Sequence, residues 1–459
     1  MADSVVSKSV IFTPFRIGNV EFKNRILRSS VGGRMSNYDG SVTAVWKNFE
    51  KRFADGDVAG IISTTFHVNK DRVSPLQYPS IAEGKFVPYL QKYIAGIKQD
   101  KPDCRYIVQI GDPGYTTYSS LFPEAQDAKS SSPGFDLGFG YNNTRTMMSN
   151  AEIEQAIVDF ADAAQRVGET GADGLEVTAT KGYLIHQFLN PGINRRTDEW
   201  GGSPDNRFRL LERIVKAVRA RIGQDFLFGV RLSAADFNYS PPILSLLRLP
   251  WPPFSRERWI GNDETQMLEY AKRLRDLKVD YLHVVAGFGF PNPRDVPGPF
   301  PFDEIKMFFS STRHLSRKAA VRSAVVNTVP AFLLRRLLNL GWKYEQGINL
   351  DYAETFKAVV GLPVIANGGF QKKDFIEGAI ESERCDMVSM ARALIANPDL
   401  LDVFRAGFNL PANECTHCNR CVGRTVTSPL GCYDPQRFPS VKAMQEQILK
   451  WNQPDPVEL

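Results

Sequence analysis

Four cysteines, Cys415, Cys418, Cys421 and Cys432, fall within 18 residues, with two, two and ten positions between them. Thiolates at such spacing suit a metal, zinc among the candidates, because a Cys-x-x-Cys pair can present both sulfurs to one centre. An emptied remnant of a metal loop reads the same way. A disulfide scaffold does not fit, since six cysteines in 459 residues are too sparse. A second group is Asn367-Gly368-Gly369 with Ala391-Arg392. Adjacent glycines expose backbone N–H groups and arginine offers a two-pronged fork, a combination that holds phosphate. Taken singly, these residues read as a turn and a surface ion pair. A third group places a hydroxyl, an ammonium and a phenol close together in Thr178, Lys181 and Tyr183. The Thr178 hydroxyl and the Lys181 ammonium can both donate a hydrogen bond to an oxyanion. Lys181 also admits a pair with a substrate carboxylate or phenolate, a structural salt bridge such as one with Glu176, or a Schiff-base role if burial depresses its pKa.

Such groups, far apart in the chain, need a frame that gathers them. Short apolar, β-branched runs alternate with helical patterns, as expected of parallel strands buried on both faces. Eight runs stand out: Arg25 to Val31, Gly60 to Val68, Tyr106 to Ile110, Gly174 to Thr180, Phe226 to Ser233, Tyr281 to Ala286, Pro363 to Gly368 and Met387 to Ala391. Between the third and fifth runs, Asn150 reads as the cap of a segment in which Ile153, Ile157, Phe160 and Ala164 recur at helical spacing, stopping near Gly171. The pattern repeats over Asn206 to Ile222. Eight strands with right-handed crossovers predict an α/β fold, a (β/α)8 barrel with long loops inserted at its C-terminal mouth. Asn367–Gly369 then follows the seventh strand and Ala391–Arg392 the eighth, where barrels repeatedly bind phosphate.

Two connections exceed ordinary loops. The Pro- and Trp-rich stretch Asn238 to Asn262, and Gly287 to Gly361 with its Pro-rich turns and extra helices, read as lids or substrate walls, or as a surface or dimer contact. Leu244 to Phe254 is apolar but lacks the basic polar face of a membrane-surface helix. With 43% hydrophobic and 23% charged residues the composition is that of a packed globular protein. The net charge of +5 is small, and no run of five Lys or Arg suggests a nucleic-acid surface. The N-terminus has no secretory pattern and no apolar run approaches the roughly 18 residues of a membrane span, so a cytoplasmic protein without stable membrane insertion is expected. The reading is one barrel domain, residues 1–435, including the Cys-rich segment 415–432, then a C-terminal tail, 436–459. A small-molecule substrate and a homo-oligomer are both compatible with it.

From Gly171-Ala-Asp-Gly-Leu-Glu-Val-Thr-Ala-Thr-Lys-Gly-Tyr-Leu-Ile-His-Gln-Phe-Leu-Asn-Pro, through Asn194-Arg-Arg-Thr-Asp-Glu-Trp-Gly-Gly-Ser, to Asn206-Arg207, the chain resembles the Old Yellow Enzyme family of NAD(P)H:flavin oxidoreductases. Phe12-Thr-Pro-Phe-Arg-Ile-Gly-Asn, Lys23-Asn-Arg, Gly229-Val-Arg-Leu-Ser, Ala366-Asn-Gly-Gly-Phe and Ala391-Arg-Ala-Leu-Ile-Ala-Asn-Pro-Asp-Leu extend the resemblance over roughly residues 10–435. It implies FMN, with NADH or NADPH as reductant, and reduction of activated alkenes. By the same resemblance Arg231 would lie against the electron-poor edge of the isoalloxazine and stabilise the anionic reduced ring. Gln109 would bind its pyrimidine side, Ser29 and Ser30 would lie beside it, and Asn367, Gly368, Gly369, Ala391 and Arg392 would hold the phosphate end.

The family usually has His, then His or Asn, then Tyr at the positions held here by Thr178, Lys181 and Tyr183. The resemblance makes Tyr183 the proton donor, with Thr178 and Lys181 as an altered pair polarising the substrate carbonyl. His186 reads as a packing residue. Asp112 and Tyr115 replace a usual His and Arg at the mouth. Larger members resembling dienoyl-CoA reductase or trimethylamine dehydrogenase carry a [4Fe-4S] cluster at a cysteine motif like that of Cys415, Cys418, Cys421 and Cys432, with a slightly longer final spacing. The leading expectation is an FMN-dependent ene-reductase. Alternatives are a flavin/iron-sulfur dehydrogenase or demethylase passing electrons to an external acceptor, a Lys181-dependent lyase, and a noncatalytic FMN-binding protein.

Overall fold

The computed structural model describes residues 9–72, 77–116, 128–135, 144–238, 261–289, 292–314, 317–425 and 427–453. A hairpin of β1 (Phe15–Ile17) and β2 (Val20–Phe22) opens the chain, followed by β3 (Ile26–Arg28), β4 (Gly60–His67) and β5 (Arg105–Gly111). A small sheet of β6 (Lys129–Ser130), β7 (Gly134–Phe135) and β8 (Thr144–Met147) intervenes. Then come β9 (Gly174–Ala179), β10 (Leu227–Ser233), β11 (Tyr281–Val285), β12 (Val364–Asn367) and β13 (Met387–Met390). Strands β3, β4, β5, β9, β10, β11, β12 and β13 close into a parallel barrel in that order. These are the eight runs read from the sequence, seven of them trimmed at one or both ends and the third extended by one residue at each end.

Helices cross over between successive barrel strands and wall the barrel, among them 44–55, 87–98, 150–168, 204–222, 264–276, 350–360 and 373–381. Helix 150–168 begins one residue earlier than expected: Ser149, not Asn150, is the cap. Its side chain accepts from the Glu152 N–H while Glu152 reaches back to the Ser149 N–H. This reciprocal box satisfies two N–H groups that the first turn leaves without partners. Ile153, Ile157, Phe160 and Ala164 face inward, as their spacing requires. They join the large core between strands and helices that also contains Trp46, Phe53, Phe208 and Tyr270.

The long connection after β11 contains helices 302–311, 317–328 and 331–338. Of the other long connection, residues 239–260, with Leu244 to Phe254, lie outside the described residues. After residue 435, helix 441–451 buries Met444 and Ile448 against Tyr433. Among the described residues, no helix is long and apolar enough to cross a membrane.

Candidate active site

Side chains along a strand alternate between faces, so residues two apart share the barrel interior. Leu27, Ile107, Leu227, Tyr281, Ile365 and Met387 form its apolar floor, closed from below by Ile17 and Phe22 of the hairpin. One step of two residues toward the mouth brings Ser29, Gln109, His283, Asn367 and Ser389, and β9 contributes Glu176 at this level. An apolar floor beneath a polar storey follows from the two-residue period alone.

The polar storey is a continuous hydrogen-bonded chain. Gln109 Nε2 donates to Glu176 Oε1 at 2.6 Å, and Tyr281 OH donates to Oε2 at 3.1 Å. His283 Nδ1 lies 3.1 Å from Glu176 Oε2, and its Nε2 lies 2.8 Å from Ser389 Oγ. Asn367 Nδ2 reaches Ser389 Oγ at 3.0 Å and Ser29 Oγ at 3.1 Å, while Ser30 Oγ donates to Gln109 Oε1 at 3.0 Å. A neutral His283, with its proton on Nδ1 and Nε2 accepting from Ser389, satisfies every member. Burial holds His283 below the ordinary histidine pKa, against the pull of Glu176. Burial alone would push the Glu176 carboxyl up, but His283, Arg231 and Gln109 outweigh it and bring it below the usual range. The storey therefore carries a fixed negative charge in the barrel interior.

Above it, Arg231 on β10 stands in register between Thr178 of β9 and His283 of β11. Its residue is 2% exposed. Its Nε and Nη1 are buried without a hydrogen-bond partner, and its nearest carboxylate contact is Nη2 to Asp295 Oδ1 at 3.8 Å. Leaving a guanidinium so poorly paired is costly in a folded chain unless an acceptor arrives. An anionic or acceptor-rich ring would supply it, and FMN has that chemistry.

Thr178 and Tyr183 converge beside Arg231 over β5. A Cβ on Gly111 would lie 2.6 Å from Thr178 Cγ2, so β5 approaches Thr178 as only glycine allows, while Tyr183 Cδ2, at 3.6 Å, would be in ordinary contact. Burial pushes the Tyr183 phenol up to about 12, although a hydrogen bond with Tyr78 and the charge of Arg231 act the other way. Tyr183 thus keeps its proton at neutral pH. Between the two, Lys181 and Gly182 both take left-handed backbone, φ 57° and 75°. For a lysine this is strained. The reversal delivers Lys181 Nζ to Asp295 Oδ2 at 3.1 Å, so where Lys181 forms a salt bridge its partner is Asp295 and not Glu176. Glu176 is unavailable because it lies one storey lower, committed to Gln109, Tyr281 and His283.

At the phosphate end, Gly368 and Gly369 have φ of 146° and 74°, and their N–H groups meet no acceptor among the described residues. These unmatched donors suit a phosphate. Asn367 turns down into the polar storey. Arg392, at the start of helix 392–396, gives Nη1 to Pro297 O at 2.6 Å and to the Asn419 side chain. The residues therefore fit FMN at both ends, with Arg392 only partly available.

Cys415, Cys418, Cys421 and Cys432 line one small pocket together with Arg392, His417 and Asn419. Among the described residues no three His, Cys, Asp or Glu side chains converge on a single metal ion. His417 stacks on Tyr344 with centroids 3.9 Å apart, and Tyr344 OH donates to Gly369 O at 3.0 Å, linking the cysteine loop to the phosphate turn.

His186 is a packing residue as expected: its ring is fully buried, Nε2 lies 2.7 Å from Asp236 Oδ1, and Nδ1 accepts from the Gly182 N–H. That contact also pins the strained turn. Asp112 is bound to Arg72 and Tyr115 packs under Arg145, so both act as supports. Sequence reasoning missed Asp295 and Tyr78, which come from irregular segments without a periodic signal. It also missed His283, which strand parity in β11 could have placed inside.

The model of the NADH:flavin oxidoreductase / NADH oxidase family matches residues 10–240. The chain is 28% identical over 428 residues to an NADH oxidase of Thermoanaerobacter brockii, covering 91% of this chain and 54% of that protein. It is 29% identical over 392 residues to an NADPH dehydrogenase of Bacillus cytotoxicus, covering 84% and 98%. A solved 2-naphthoyl-CoA reductase in complex with 2-naphthoyl-CoA superposes with a TM-score of 0.74 at 21% identity, covering 98% of this chain and 58% of that one. The chain thus spans about half the length of several relatives it matches. On the family match and the closed eight-stranded barrel, the chain belongs to the NADH:flavin oxidoreductase / NADH oxidase family.

Proposed function

We propose that this chain binds FMN across the barrel mouth and acts as an NAD(P)H-dependent oxidoreductase that reduces an activated C=C bond of a small unsaturated carbonyl compound. The observation that carries the proposal is the buried, underpaired guanidinium of Arg231 beside the convergent Thr178 and Tyr183. When bound, FMN supplies hydride acceptance and donation. The chain's own residues do the rest. Arg231 presents positive charge where an electron-rich ring needs it. The unmatched N–H groups of Gly368 and Gly369 take the phosphate. Thr178 Oγ1 and Lys181 Nζ donate toward the substrate carbonyl oxygen, and Tyr183 holds a proton on its phenol for the α-carbon.

Burial lowers the Lys181 pKa on balance while the Asp295 carboxylate, 3.1 Å from Nζ, opposes it; the ion pair supports an electrostatic role, and borohydride trapping that disappears in Lys181→Ala would assign a Schiff base instead. An anaerobic visible spectrum during titration with NADH, NADPH and candidate enones tests the proposal. Flavin absorbance, bleached by a nicotinamide and restored by an enone, is the expected outcome. Protein that neither retains nor regains FMN would sink it.

A second reading rests on the shared cavity of the four cysteines. Cys415, Cys418, Cys421 and Cys432 would hold a [4Fe-4S] cluster, which supplies single-electron relay. The chain would then serve as a dehydrogenase or demethylase giving electrons to an external acceptor. Iron and sulfide in anaerobically purified protein, with flavin bleached by substrate without nicotinamide, favour this reading.

A further inference from the structure

The 38 residues from Lys306 to Lys343 contain eight Lys and Arg and no Asp or Glu, in a chain whose whole net charge is +5. They belong to the connection after β11 that supplies Asp295 to the mouth. Helices 302–311, 317–328 and 331–338 form a plate, tied by Asn327 Nδ2 to Ser310 Oγ at 3.0 Å and by the Arg335–Asp303 ion pair. Helix 331–338 turns Ala331, Leu334 and Leu338 onto Val296, Phe300 and Trp342. Its other face is apolar as well: Phe332 is 75% exposed, and Leu333, Leu337 and Leu340 are exposed beside it. Val321 and Val325, one turn apart on the preceding helix, are also exposed. Among the described residues, no carboxylate lies within ion-pair distance of the exposed Arg313, Arg317 or Arg336.

We propose that this plate is a reversible docking surface for an anionic lipid bilayer. Exposed apolar patches of this kind mark an interaction surface. A surface combining projecting aliphatic and aromatic side chains with unopposed cations matches the headgroup boundary of an anionic leaflet. A second copy of the chain fits poorly, because self-pairing would bring Arg313, Arg317 and Arg336 of both copies together, with the exposed Asp303 carboxylates already paired to Arg335. An acidic protein would satisfy the cations, but Phe332, Leu333, Leu337 and Leu340 offer it no hydrogen-bonding group to set register, and a fluid surface requires none. Only insertion to headgroup depth is needed, consistent with the absence of a spanning helix among the described residues.

Flotation of the full chain with vesicles of phosphatidylcholine alone, and of phosphatidylcholine with phosphatidylserine, tests this proposal. Binding is expected only to the mixed vesicles, weakening as salt rises. Phe332→Asp with Leu333→Asp, and separately Arg317→Glu with Arg336→Glu, should each weaken it by about tenfold or more without changing the melting temperature. No preference for anionic vesicles at low salt overturns the proposal. So does binding that ignores the apolar pair, which would mark bare charge attraction such as polyglutamate also shows. A concentration-dependent dimer abolished by Phe332→Asp, without vesicle binding, would assign the face to a second copy instead.

Discussion

Lys181 Nζ and Asp295 Oδ2 stand 3.1 Å apart at the barrel mouth, joining a strained turn after β9 to the long connection after β11. Burial lowers the Lys181 pKa from its ordinary 10.5, Asp295 opposes this, and Arg231 adds to it. The ammonium is therefore lost at a lower pH than in a free lysine. If turnover needs that charge, kcat/KM declines on the alkaline side below pH 10.5. Asp295→Asn should move this limb further toward neutrality, and Lys181→Arg should move it to higher pH. A limb unmoved by either substitution, in kcat/KM measured against pH, would remove Lys181 from the reaction.

Tyr183→Phe separates proton donation from hydride supply. The phenol's pKa, raised to about 12, makes it an acid across the working range. Its loss should slow enone turnover by about 10²- to 10⁴-fold. Flavin reduction by nicotinamide should be nearly unchanged in stopped-flow traces. Equal slowing of both half-reactions would make Tyr183 a packing residue.

Arg231→Met should have opposite effects on the empty and the loaded protein. Replacing a buried, underpaired cation by an apolar chain should raise the melting temperature of FMN-free protein. The same change should weaken FMN binding and slow flavin reduction by about 10²- to 10³-fold. A fall in apo-protein stability would instead show that Arg231 is satisfied within the chain.

Gly111→Ala tests how closely the mouth is packed. The new methyl would lie 2.6 Å from Thr178 Cγ2 and 2.9 Å from Thr65 Cγ2, both on flanking barrel strands. Overpacking of this kind costs about 1 to 3 kcal/mol. A melting temperature and a KM both equal to wild type would contradict the geometry.

His67 provides an acid-sensitive component of stability. Burial lowers its pKa from 6.5 to about 4, despite the nearby charge of Asp112. Above pH 6.5 neither folded nor unfolded chain is protonated there, so stability is full. As pH falls from 6.5 toward 4 the unfolded chain takes the proton first, and folding loses up to about 3 kcal/mol. Urea midpoints of wild type and His67→Leu, compared at pH 7 and 4.5, should converge at the lower pH. A constant gap would place the acid sensitivity elsewhere.

The barrel was legible because buried parallel strands leave a repeated signature, eight apolar runs separated by helical periods. Strand ends then placed Gln109, Thr178, Arg231, Asn367 and Arg392 near one mouth, and the strands carrying them do form one closed sheet. The helix start slipped by one residue because Ser149 and Asn150 are both good caps, and the reciprocal contact with Glu152 decides between them. The hairpin β1–β2 went unseen, as three-residue strands carry too short a period to read.

By itself, the sequence determined the strand count, the glycine turn after the seventh strand and the grouping of four cysteines, because each is a local pattern of residue types. Tertiary structure alone decided which charges meet. Lys181 pairs with Asp295 rather than Glu176 because two left-handed residues redirect the chain. Glu176 is taken by Gln109, Tyr281 and His283 from neighbouring strands, whose proximity exists only once the barrel closes. Strength and partner choice in a buried ion pair depend on distance and desolvation, and neither is written in linear spacing.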